Sequence, residues 1–147
     1  MRPVNDKYKI GFGYGEEYPI ELQKSLGINK HKGVDYYTIK GIKVISPVNG
    51  ILTEIGEKAL MGKYIIIGFE SMKKKFRFTA MHLSKVLIEN VSPVMKVKKE
   101  QVIALTGDTG TFYNGRKHPH CHCQIDKWDE KEMKWVDVNP SFVFGKV

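Results

Sequence analysis

Three of the chain's five histidines fall within five residues, in His118-Pro119-His120-Cys121-His122-Cys123-Gln124, while His31 and His82 lie far upstream. Side chains alternate along an extended segment, so His120 and His122 share one face while Cys121 and Cys123 share the other. Two imidazoles on one face can hold a single ion together, or one can bind while the other moves protons. A second chemical pair is His31 and Asp35, four positions apart. They fall on one side of the chain whether the segment is extended or helical, and Gly33 and β-branched Val34 disfavour a helix.

A catalytic zinc site ordinarily takes three protein ligands from His, Asp or Glu and leaves a fourth position open. His31, Asp35 and one imidazole of the His120/His122 pair make a two-histidine, one-carboxylate set of that kind. Zinc so held lowers the pKa of a water toward about 7 and supplies a nucleophile at neutral pH. The other histidine of the pair, together with His82, is then free to move protons or stabilise a developing oxyanion. Each histidine alone reads more readily as a hydrogen-bonded core or surface residue. The joint placement of all of them beside strands carries the inference.

The elements that must position these residues are strand-like. Ile42 to Ser46 is apolar and β-branched, and Pro47 and Asn49-Gly50 end it. Ile51 to Ile55 alternates, Lys63 to Phe69 reads as a buried strand, and Phe76 to Met81 follows across a charged hairpin tip at Lys73-Lys74-Lys75. Val94 to Val97 is short, Gln101 to Leu105 is another strand, and Thr106-Gly107-Asp108-Thr109-Gly110 is a turn leading to the His120 strand. Trp128 to Trp135 looks like a hairpin tip flanked by tryptophans. Residues 20 to 27 suit one short helix or turn, stopped by Gly27. Gly11, Gly13 and Gly15 suit a bulged edge or loop, because a dinucleotide cradle needs a helix opening on it and Pro19 follows instead. Short strands, frequent turns and no sustained helical period predict a single all-β domain, a largely antiparallel sheet or sandwich, over residues 1–147.

The chain has 147 residues, a length that suits one core. Its 41% hydrophobic and 27% charged residues are those of a folded globular protein. The only two cysteines offer no disulfide framework. Met1 to Lys7 lacks the apolar core of a secretory signal, and no apolar run is long enough to span a bilayer. The expectation is therefore a chain made soluble in the cytoplasm, without membrane insertion. A net charge of +8 favours anionic partners, although a lysine-rich solvated surface gives the same number.

In order and rough spacing, from about residue 10 to about residue 140, the chain resembles the lysostaphin-type (LytM-like) zinc endopeptidases that cut peptidoglycan. The family's His-x-Gly-x-Asp is matched by His31-Lys32-Gly33-Val34-Asp35, and its glycine-tyrosine step into a strand by Gly62-Lys63-Tyr64-Ile65-Ile66-Ile67. Its His-Leu-Ser is matched by His82-Leu83-Ser84. Its glycine-rich turn before His-x-His is matched by Thr106-Gly107-Asp108-Thr109-Gly110 and His120-Cys121-His122. The resemblance implies one zinc held by His31, Asp35 and His122, with His82 and His120 as catalytic histidines. It also implies a largely antiparallel sheet with an open active-site groove.

Cys121 and Cys123 stand where the family usually has Leu and Phe, and they are expected to pack on the far face of the sheet. The early Phe-Gly-x-Arg of many members is Phe12-Gly13-Tyr14-Gly15 here, without the arginine. The loop with Tyr113, Asn114, Arg116, Lys117 and His118 is longer and more basic than usual. It is expected to wall the groove and set specificity, with Tyr113 and Asn114 binding substrate, the alternative being a solvated loop without a role in the site.

The expected activity is hydrolysis of a stem or cross-bridge peptide bond in peptidoglycan, by a monomer acting on the cell wall and attracted to anionic wall polymers. A phage-type lysin fits a chain without a visible signal. The alternative is a catalytically silent relative that binds walls or activates a partner. A zinc module for nucleic acid built on Cys121 and Cys123 is disfavoured, because alternation turns the sulfurs away from the imidazoles and no second cysteine pair exists.

Overall fold

The computed structural model describes residues 1–89, 93–111 and 116–146. A short helix, α1 (Ile20–Leu26), precedes strands β1 (Val34–Tyr37), β2 (Lys43–Ile45), β3 (Gly50–Lys58), β4 (Gly62–Ser71) and β5 (Lys74–Val86). Then come β6 (Lys96–Val97), β7 (Val102–Thr106), β8 (His120–Asp129), β9 (Lys134–Val138) and a one-turn helix, α2 (Ser141–Phe144). The strands form one antiparallel sheet whose main path is β1-β8-β5-β4-β3-β6. β9 pairs with β8, and β7 links β5 to β2. The chain is all-β and antiparallel, as its sequence implies, and the sheet is single and branched, not a sandwich.

Local sequence explains most of these elements. Tyr64 to Ile67 is buried residue after residue because β4 is a central strand, and its unbroken apolar run satisfies both faces. β4 and β5 are joined at Met72-Lys73, both with positive φ (47° and 59°), as a tight two-residue hairpin turn requires. α1 stops at Gly27, whose φ of 69° is left-handed and whose N–H bonds back to the Gln23 carbonyl. β1 and α2 are elements that sequence patterning did not mark. β5 also runs well past Met81.

One face of the sheet is the core. Cys121, Cys123 and Ile125 of β8 pack there with Phe78 and Ala80 of β5, Ile65 and Ile67 of β4, and Val34 and Tyr36 of β1. The two thiols are free and buried, with their sulfurs 3.6 Å apart. Alternation then commits His120, His122, Gln124 and Asp126 to the opposite face. Gly33 lets β1 come close beside them: a Cβ there would lie 2.5 Å from the Cys123 carbonyl oxygen and 2.8 Å from His122 Nε2.

Candidate metal centre

Strand pairing assembles the site. Asp35 on β1 stands directly opposite His122 on β8, and Met81 on β5 is the partner of His122 on its other side. His31 enters just before β1, where its backbone pairs with residues 15 and 16. The glycine-rich segment Gly11 to Gly15 is the edge expected of it: Gly11 N–H bonds to Asp35 O, and Asp35 N–H bonds to Phe12 O.

His82 reaches the site through an irregularity. With Ala80 in the core and Met81 opposite His122, simple alternation would send His82 into the core. The β4–β5 register shifts at this point, and His82 takes a φ of 61°. The bulge turns its ring to 4.5 Å from that of His120. Thr109 fixes it there: its carbonyl accepts from His82 Nδ1 at 2.8 Å, and its hydroxyl bonds Lys63 N and Leu83 O. Gly62 and Gly110 allow this turn to lie close, since a Cβ on Gly62 would be 2.1 Å from Thr109 O.

Three donor atoms converge on one point. His31 Nε2 lies 3.1 Å from Asp35 Oδ1 and 3.0 Å from His122 Nδ1, and the last two are 2.8 Å apart. All three residues are buried. Zinc with bonds of about 2.0–2.1 Å in tetrahedral geometry spaces its ligands by about 3.3 Å, so the triangle fits with little adjustment. The tautomers fit as well. His31 Nδ1 is 3.0 Å from Gly13 O, and a carbonyl only accepts, so the proton sits on Nδ1 and the lone pair on Nε2. His122 Nε2 faces Gln124 Oε1 at 3.1 Å, which leaves its Nδ1 lone pair pointing inward. Two lone pairs and a carboxylate oxygen meeting in a buried spot repel one another unless a cation lies among them. Among the described residues, this trio is the one grouping of three with metal-holding geometry.

The electrostatics follow from the packing. Burial alone would raise the Asp35 pKa, but without a metal the imidazoles of His122 and His31 can each carry a proton toward it, and those hydrogen bonds hold it well below the usual carboxylate range. A proton on His122 Nδ1 competes for the cation's position; burial opposes that proton, the Asp35 hydrogen bond favours it, and the pKa rises. His82 behaves oppositely: burial, with His120 beside it, pushes it down to about 3. His120 is also lowered by burial, partly offset by Asp35. Its Nδ1 donates to His118 O at 2.8 Å, so its Nε2 lone pair faces the site, 3.9 Å from Asp35 Oδ2.

The structure thus brings together His31, Asp35, His82, His120 and His122. His118 is exposed, and its carbonyl accepts from His120 Nδ1. Tyr113 and Asn114 lie outside the described residues. Sequence reading missed Tyr18, whose ring meets His31 edge-on at 5.5 Å and whose phenol pKa is raised by burial and by Asp35. It also missed Gln124, although the alternation that paired His120 with His122 extends two residues further to reach it. On the same face, a concavity of about 660 Å³ is lined by Ile51, Ile66, Gly68, Arg77 and Trp135.

The model of peptidase family M23 matches residues 29–140. A curated Haemophilus influenzae protein described as an uncharacterized metalloprotease is 33% identical over 99 residues, covering 67% of this chain and 19% of the relative. The chain thus spans about a fifth of that protein's length. The catalytic domain of the antimicrobial peptidase lysostaphin from Staphylococcus simulans is similar over 96% of this chain and 95% of its own, with TM-score 0.71 and 28% identity. A zinc-containing peptidase from Vibrio cholerae matches 92% of this chain and 37% of its own, with TM-score 0.67 and 27% identity.

Proposed function

The chain belongs to peptidase family M23, and from that premise we propose that it is a zinc-dependent endopeptidase hydrolysing stem or cross-bridge peptides of peptidoglycan. One observation carries the reading: the inward lone pairs of His31 Nε2 and His122 Nδ1 meet the Asp35 carboxylate within 3.1 Å, beside two neutral histidines. His31, Asp35 and His122 would hold the ion, which supplies Lewis-acid polarisation of the scissile carbonyl and acidifies water. The likeness to lysostaphin, an antimicrobial peptidase, and to a zinc-containing peptidase supports both the metal and the substrate.

His82 and His120 do the proton work in this proposal. Each has Nδ1–H tied to a backbone carbonyl, so each presents a basic Nε2 of fixed direction. The Nε2 of one takes the proton of the attacking water, and that proton then passes to the departing amine, so the histidine ends neutral as it began. Neither is spent on a proton at neutral pH, because burial holds both pKa values down. The substrate peptide lies along the open face of the sheet, in a groove that the concavity beside Arg77 and Trp135 extends.

The complete donor set argues against a catalytically silent relative. The positive charge draws the enzyme, acting as a monomer, to anionic wall polymers, and a phage-type lysin fits such a role. The test is lysis of purified cell walls with mass spectrometry of the fragments. Zinc-loaded protein should release new peptide termini and a chelator should stop it. Release unchanged by the chelator, or none from walls of any cross-bridge chemistry, would refute the reading.

A further inference from the structure

We propose that Gln124, Asp126 and Arg77 form a positioning relay that fixes the tautomer of His122 and so sets the affinity of the centre for its metal. The proposal rests on the metal-centre reading above and assigns residues outside the donor set.

β8 places His122, Gln124 and Asp126 in succession on the site face, and Arg77 of β5 is the cross-strand partner of Asp126. Arg77 Nε donates to Asp126 Oδ2 at 2.8 Å, and Gln124 Nε2 donates to Asp126 Oδ1 at 2.6 Å. Gln124 Oε1 then faces His122 Nε2 at 3.1 Å.

Every link has a forced direction. A guanidinium only donates, and an ionised carboxylate only accepts. Asp126, 3% exposed and committed to Arg77, must therefore receive the Gln124 amide through its NH2 end. That turns the amide oxygen toward His122, whose Nε2 must carry the proton. The lone pair is left on Nδ1, the atom aimed at His31 and Asp35. With the amide reversed, an NH2 would confront Nε2, the proton would move to Nδ1, and the ion's position would be blocked. Arg77 is itself held over the Trp135 ring, 4.8 Å from its centroid, so the far end of the relay is anchored.

The test is the zinc dissociation constant measured by competition with a chromophoric chelator, with the visible spectrum of cobalt-substituted protein as a second readout of ligand geometry. Gln124→Leu should weaken zinc binding by about ten- to hundredfold. Asp126→Asn, which keeps size and shape, should weaken it similarly by freeing the amide to reverse, and it serves if the leucine variant does not fold. The double variant Gln124→Glu/Asp126→Asn restores an acceptor facing His122 and a donor behind it. It should recover the wild-type constant and cobalt spectrum, which a merely structural role would not predict. Single variants that bind zinc as tightly as wild type, or a double variant as weak as the singles, would overturn the relay while leaving the metallopeptidase standing. Wild-type protein that binds no zinc would bring down both.

Discussion

Asp35 and His122 face each other across the β1–β8 ladder, with Oδ1 and Nδ1 2.8 Å apart. Cross-strand pairing, and not proximity in sequence, brings two of the three donor atoms together. Anything that shifts β1 against β8 should therefore act on the metal first.

Gly33→Ala is such a change. The new Cβ would press on the Cys123 carbonyl and on His122 Nε2, neither of which yields easily. Overpacking of this kind costs about 1–3 kcal/mol. The melting temperature should fall, and zinc affinity should fall further than chelation-independent stability explains. Calorimetry with and without zinc separates the two effects. Equal losses in both states would mean that Gly33 serves the fold alone.

Removing a proton carrier should separate binding from chemistry. His82 touches the site through its ring, and its tether is the Thr109 carbonyl, outside the donor trio. His82→Ala is expected to keep stoichiometric zinc and to lose about 10²–10⁴-fold in kcat. Zinc lost along with activity would make His82 a ligand, against the assignment.

The two lowered histidines give a signature in pH. A histidine whose folded pKa lies below its ordinary 6.5 stays neutral as pH falls past that value. The ring signals of His82 in the zinc-loaded protein should therefore be flat in NMR from pH 8 to pH 5. The unfolded chain takes up that proton near 6.5 while the native state resists it down to about 3. This group thus costs stability progressively as pH drops through that window. Titration of His82 with a midpoint near 6.5 would show that it is not buried as described.

Much of this was legible because the chemistry is local in sequence. His120 and His122 announce a shared face by their spacing, the turns announce themselves through Asn49-Gly50 and the glycines, and the unbroken apolar run of β4 marks a central strand. The sequence did not reveal what depends on pairing. β1 is four residues long with a carboxylate in its middle, so no pattern separates it from loop until β8 lies against it. The direction of His82 comes from a bulge at positive φ, which alternation would have predicted the wrong way. Choosing His122 over His120 as ligand needed the family resemblance, since both present a lone pair to the site; in the fold it is His122 Nδ1 that groups with His31 Nε2 and Asp35 Oδ1, while His120 Nε2 stands 3.9 Å from Asp35 Oδ2. Gln124 escaped notice because an amide does no chemistry itself; its part follows from its neighbours.

The most direct measurement is paired: zinc content and release of new peptide termini from purified peptidoglycan, for wild type and His122→Ala. The wild-type chain should carry one zinc and cleave. The variant should keep its fold by circular dichroism, lose the ion at micromolar protein concentration, and release nothing. A His122→Ala protein that still cleaves peptidoglycan at the wild-type rate would contradict the account at its centre.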